Sequence, residues 1–73
     1  MKGAIKMLQI SLKAARVNAN LKQSEVAEKI GVNVTTIIKW EKGKTAPKSD
    51  QLKKLCVLYG CSMDDIFLNR KYA

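Results

Sequence analysis

The most reactive side chains of this sequence lie near its C-terminal end: the thiols Cys56 and Cys61 and the adjacent acids Asp64 and Asp65. Two thiolates could begin a zinc site, but a structural zinc needs four ligands, and the chain has no histidine and no further cysteine. The C-x4-C spacing also departs from the C-x2-C of redox and zinc motifs. Both thiols are therefore expected to be reduced and structural, Cys56 within an apolar helical stretch. Asp64 and Asp65 read as charges in the first turn of a helix, where the dipole favours them. No G-x-S-x-G, phosphate loop or paired-carboxylate arrangement is present. No catalytic residue, metal or cofactor is expected, and the chain reads as a non-enzyme.

The other chemistry available is charge. Lys plus Arg total 14 against 6 Asp plus Glu, a net charge of +8. On a chain of 73 residues that balance suits a polyanionic partner. A membrane is the competing polyanion, but no 18-residue apolar run exists to span one. The opening MKGAIKMLQI has no long apolar stretch before Lys13 and Arg16, which argues against a signal peptide and for a cytoplasmic location. The length allows one domain near the lower limit for a self-sufficient core, and leaves little room for a separate ligand-binding or catalytic domain. A hydrophobic fraction of 47% excludes wholesale disorder.

Positioning falls to short helices, punctuated by Gly31, Gly43, Pro47 and Gly60. Residues 1–9 read as a poorly ordered arm or early turn, 10–68 as the folded domain and 69–73 as a frayed tail. Ser11 is an N-cap for a first helix reaching about Ala19, with Leu12, Ala15 and Ala19 on one face. A second helix runs from about Gln23 to Ile30, with Val26, Ala27 and Ile30 as its stripe and Gly31 where a left-handed residue belongs. A third runs from about Val34 to Lys42, capped by Asn33, with Ile37 and Trp40 facing one way and Gly43 stopping it. Ser49 caps a fourth, which carries Leu52, Leu55, Cys56 and Tyr59. Ser62-Met63-Asp64-Asp65 resembles a capping box opening a fifth. Between the second and third helices a near-perpendicular crossing requires a small residue at closest approach, a turn tolerant of positive φ and a buried inner face. Ala27, Gly31 and the pair Ile37 and Trp40 supply these in register.

The run LKQSEVAEKIGVNVTTIIKWEKGKTAP resembles the Cro/phage-repressor (XRE-type) class of helix-turn-helix regulators, and Leu52–Phe67 resembles the last two helices of that family. The likeness covers about residues 10–68. It implies an all-α, compact five-helix, lambda-repressor-like domain with its helix-turn-helix at residues 23–42. The implied function is that of a transcriptional regulator, a repressor binding a palindromic operator in double-stranded DNA as a homodimer. The implied docking puts the third helix in the major groove. With Ile37 and Trp40 inside, Val34, Thr35, Ile38 and Lys39 are expected to point outward: Val34 and Ile38 toward thymine methyls, Lys39 toward guanine, Thr35 toward a base or phosphate. The resemblance makes Gln23 a phosphate clamp, and Asn33, Thr36, Lys42, Lys44 and Thr45 are the other phosphate candidates. It also makes Arg16 and Glu41 an ion pair tying the first helix to the third. The alternative reading is an antitoxin-like module that uses the same fold to hold another protein.

Overall fold

The computed structural model describes residues 10–67, with the side chain of Phe67 outside the description. The arm expected over residues 1–9 and the tail over 69–73 fall outside it. A two-residue strand, β1 (Ile10–Ser11), leads into helices α1 (Leu12–Asn18), α2 (Gln23–Ile30), α3 (Val34–Lys42) and α4 (Ser49–Tyr59). A 3-10 turn, Met63–Asp65, and a second short strand, β2 (Ile66–Phe67), follow.

The helices start where side chains or backbone can satisfy their free N–H groups. The Ser11 hydroxyl accepts the Ala14 N–H at 3.0 Å, as its type and place predict. At α2 the Lys22 N–H donates to the Glu25 carboxylate at 2.7 Å, half of a capping box. Asn33 occupies the cap position of α3, but its side chain makes no capping bond. Ser49 is not the cap of α4: Lys48 is, its N–H donating to Gln51 Oε1 at 2.9 Å, and Ser49 is the first helical residue.

All four helices stop alike. In each, an N–H two or, after α1, three residues beyond the helical end reaches back to a carbonyl five positions earlier: Leu21 to Arg16, Val32 to Ala27, Lys44 to Lys39 and Cys61 to Cys56, at 2.9–3.2 Å. This bond requires a left-handed residue in between. Gly31 fills that place at φ +87°, and Asn20 fills it at φ +60° without being a glycine. Asparagine tolerates this region better than other side-chain-bearing residues.

One hydrophobic core holds the pieces together: Leu12, Ala15, Val26, Ala27, Ile37, Trp40, Leu52, Leu55, Cys56 and Ile66. α2 packs chiefly against α3, and α1 and α4 close over the pair.

The fifth helix is a correction. From Ser62 the chain makes only the 3-10 turn, with the Ser62 N–H donating to Asp65 Oδ2 at 3.1 Å. It then extends and pairs in parallel with β1, Ile10 opposite Ile66 and Ser11 opposite Phe67. Ile66 is thereby buried at 5% exposure. A β-branched residue serves well there, because extended backbone drops it into the core while the ladder takes its polar groups. The described fold is thus four α-helices with a two-stranded clasp joining its ends.

Candidate nucleic-acid interface

α3 is nine residues long, and an α-helix with its side chains, about 10–12 Å across, fits a B-DNA major groove about 12 Å wide. Its inner face is fixed by Ile37, 1% exposed, and Trp40, 7% exposed. Each helical residue advances about 100° around the axis. Thr35, Lys39 and Lys42 therefore fall opposite the buried pair, and all three are exposed. Ile38 sits at the edge of that strip, partly buried.

Val34 and Thr36 lie on the flanks. Val34 is partly buried and packs against the core, so only part of its surface is free, less than the outward position expected for it. Lys42, expected only near the backbone of a duplex, stands as squarely outward as Lys39. The helical wheel alone carries that signal once Ile37 and Trp40 are fixed as the inner pair. Asn33, Lys44 and Thr45 are exposed at the two ends of α3 and Thr36 is half-buried.

Behind the strip is a polar clamp. Glu41, on the side of α3 toward α1, accepts from Arg16 Nε at 2.6 Å and from Arg16 Nη2 at 3.2 Å. Arg16 Nη1 donates to the Leu21 carbonyl at 3.0 Å, so one guanidinium on α1 ties α3 to the loop that leads into α2. The side chains are 11% and 5% exposed. The two parallel donors match the carboxylate fork, and the pair raises the Arg16 pKa, the hydrogen bond to Glu41 outweighing the burial that lowers it.

Gln23 joins the same carboxylate, its Nε2 donating to Glu41 Oε1 at 3.0 Å. An amide nitrogen carries two N–H groups, so one bond to Glu41 fixes the side chain and leaves a second donor. Expected separately, a Gln23 turned to a phosphate and a Glu41 turned to Arg16 meet in the structure at one oxygen, Glu41 Oε1. Ala27 and Gly31 sit where the crossing needs them, Ala27 buried at 5% and Gly31 left-handed and exposed.

No helix of the described residues is long and apolar enough to cross a membrane. Cys56 is buried and Cys61 half-buried, and both are free thiols. Burial first, then the neighbouring Cys61, pushes the Cys56 thiol up to about 11. It therefore stays protonated at neutral pH and is a poor nucleophile or metal ligand.

Comparison with known proteins agrees with this geometry. The family described as Helix-turn-helix matches residues 12–66. The phage CTXphi transcriptional repressor RstR of Vibrio cholerae is 35% identical over 60 residues, 82% of this chain and 54% of RstR. An HTH-type transcriptional regulator of Methanocaldococcus jannaschii is 40% identical over 57 residues, 78% of this chain and 86% of that protein. The transcriptional activator BcrR of Enterococcus faecalis is 34% identical over 55 residues, 75% of this chain and 27% of BcrR. The chain thus spans about half the length of RstR and a smaller share of BcrR. No solved structure matches it. With the family match running from the first helix to the closing strand, over a crossing that exposes one face of α3, the chain belongs to the XRE-type helix-turn-helix family of DNA-binding transcriptional regulators.

Proposed function

We propose that this protein is a repressor that binds a palindromic operator in double-stranded DNA as a homodimer. The observation that carries the reading is the division of α3: Ile37 and Trp40 anchor one side, and Thr35, Lys39 and Lys42 stand free on the other. In this reading Lys39 reads guanine through O6 and N7, Thr35 meets a base or phosphate, and Ile38 and the free part of Val34 lie against thymine methyls. Gln23, held by Glu41, offers its remaining N–H to a phosphate, and Asn33, Thr36, Lys42, Lys44 and Thr45 take the backbone around it. RstR is named a repressor and BcrR an activator, so the relatives do not fix the sign. Repression is the reading that asks least of the chain, since occupying a promoter is enough.

Selection of bound duplexes from a random pool tests the proposal. A two-fold symmetric consensus with half-sites about 34–36 Å apart is expected. An asymmetric single site would remove the homodimer, and no enrichment would remove sequence-specific binding. On the selected site, Lys39→Ala should change which base wins at one position, by about 1–3 kcal/mol of discrimination. Lys44→Ala should instead weaken all sequences alike and flatten the slope of log K against log salt by about 0.9.

A further inference from the structure

A groove of about 410 Å³ lies between the C-terminal end of α2 and the middle of α4, lined by Lys29, Ile30, Lys53, Lys54, Val57 and Leu58. None of these six is among the residues assigned to DNA. Ile30 ends α2, about 10 Å along the helix axis from Gln23. The lining is almost wholly apolar, so the three lysines contribute their methylene stems and carry their ammonium groups away from the floor. Val57 is 79% exposed, the most exposed large hydrophobic residue among those described. Ile30 and Leu58 pack on the core and show the groove their remaining surface. Within the described residues none of the three lysines has a carboxylate partner, the one salt bridge being Arg16–Glu41.

An apolar floor rimmed by three unpaired cations selects its occupant. A duplex would satisfy the lysines but find nothing for Val57, Ile30 and Leu58. A second copy of this chain, laid symmetrically on the same face, would bring two sets of three lysines together, with no acid in the lining of either groove. A helix with an apolar ridge flanked by Asp and Glu satisfies both parts, since its ridge fills the floor and its acids meet the rim. We propose that this groove docks an acidic amphipathic helix of a partner protein, on a face that leaves the DNA-binding strip free. The inference is independent of the operator reading and survives or fails without it.

The test uses the full 73-residue chain and three labelled synthetic helical peptides. One carries Leu at i, i+3, i+4 and i+7 with Glu elsewhere on the flanks. The second has Lys for every Glu, and the third has the first composition in scrambled order. Fluorescence anisotropy should show binding of the Leu/Glu peptide at least ten-fold tighter than either control. Val57→Asp, at a position too exposed to disturb the fold, should reduce that binding ten-fold or more, and Lys53→Glu with Lys54→Glu should do the same. Lys42→Ala with Lys44→Ala should leave it unchanged, because those lysines belong to the DNA side. Amide shifts on titration should concentrate at residues 29–30 and 53–58. The proposal is overturned by any of four results: no binding up to millimolar peptide, equal binding of the scrambled peptide, shifts concentrated on α3, or a dimer of the free chain that Val57→Asp dissociates. In each case binding to the selected operator is measured separately, so failure here leaves the operator reading untouched.

Discussion

α3 is held in place by two supports made of opposite materials. On one side is an apolar seam, where Ile37 and Trp40 pack among Val26, Ala27 and Leu55. On the other is the polar clamp, where one carboxylate receives Arg16 and Gln23. The seam is the larger source of stability, because burial of apolar area is non-directional and scales with surface removed from water. Taking Arg16 and Glu41 out of water offsets most of what their attraction returns. What the clamp adds is direction: two parallel hydrogen bonds tolerate one arrangement of α1 against α3, and the Glu41 oxygen they share also aims the Gln23 amide. The seam makes the crossing stable, and the clamp sets which side chains of α3 face outward.

Breaking the clamp on one side should have the largest effect. Glu41→Ala leaves the Arg16 guanidinium buried and unpaired, and is expected to cost about 3–5 kcal/mol. On a domain this small that approaches the whole stability, so the variant should be largely unfolded at room temperature. Denaturant titration of the fluorescence of Trp40, the only tryptophan, measures it. Replacing both partners sharpens the comparison. Arg16→Met with Glu41→Leu removes both buried charges and should recover most of the loss. Operator affinity should remain reduced, because Gln23 has lost its anchor. A double variant that regains stability and full affinity together would reduce the clamp to mere packing.

The seam is tested by crowding it. Ala27 is 5% exposed at the α2–α3 crossing. Ala27→Leu pushes the helices apart and should cost about 1–3 kcal/mol, with loss of operator binding as α3 tilts. An unchanged denaturation midpoint would mean that the crossing has slack and that alanine is not required there.

A smaller effect is expected at Gly31→Ala. A Cβ added there meets nothing within 4 Å, so the cost is that of φ +87° for a residue with a side chain. About 1–2 kcal/mol is expected, read from the thermal midpoint, with the operator preference unchanged. A larger loss, or an altered preference, would show that the turn carries strain beyond its own backbone.

These two supports also show what could be read from the residues. Helices α2 and α3 were legible to the residue, because Gly31, Gly43 and the periodic Val26, Ala27, Ile37 and Trp40 are local signals. The Arg16–Glu41 pair was legible only through family resemblance, since no periodicity links positions 25 apart. The bond from Gln23 to Glu41 was missed because an amide at a helix start gives no sign of where its second donor turns. The clasp was missed for the same reason on a larger scale. Ile66 and Phe67 extend because Ile10 and Ser11 offer an edge 56 positions away, and the capping pattern at Ser62 says only that a turn begins. Asn20 carried a weak local signal, a left-handed stop without glycine.

Tyr59 gives no effect at neutral pH and a direct view of the clamp at high pH. Its phenol is pushed up to about 12 from an ordinary value near 10, by burial first and then by the negative charge of Glu41, with Arg16 acting the other way. Below pH 10 both folded and unfolded states keep the proton, and stability is unaffected. Between about pH 10 and 12 the unfolded chain releases it while the folded chain holds it, so stability falls as pH rises and this contribution is gone above about 12. The Cys56 thiol, at about 11, adds a loss of the same sign that begins about one unit lower. Tyrosinate absorbance separates the two, and in a Tyr72→Phe background Tyr59 is the only phenol left to titrate. Its native midpoint should lie well above that of the unfolded chain. In Glu41→Gln, which keeps an acceptor toward Arg16 but removes the charge, the midpoint should move down. A native Tyr59 that titrates near 10, or one indifferent to Glu41→Gln, would place this ring in water and out of reach of the carboxylate, and the clamp would then be open on its α4 side.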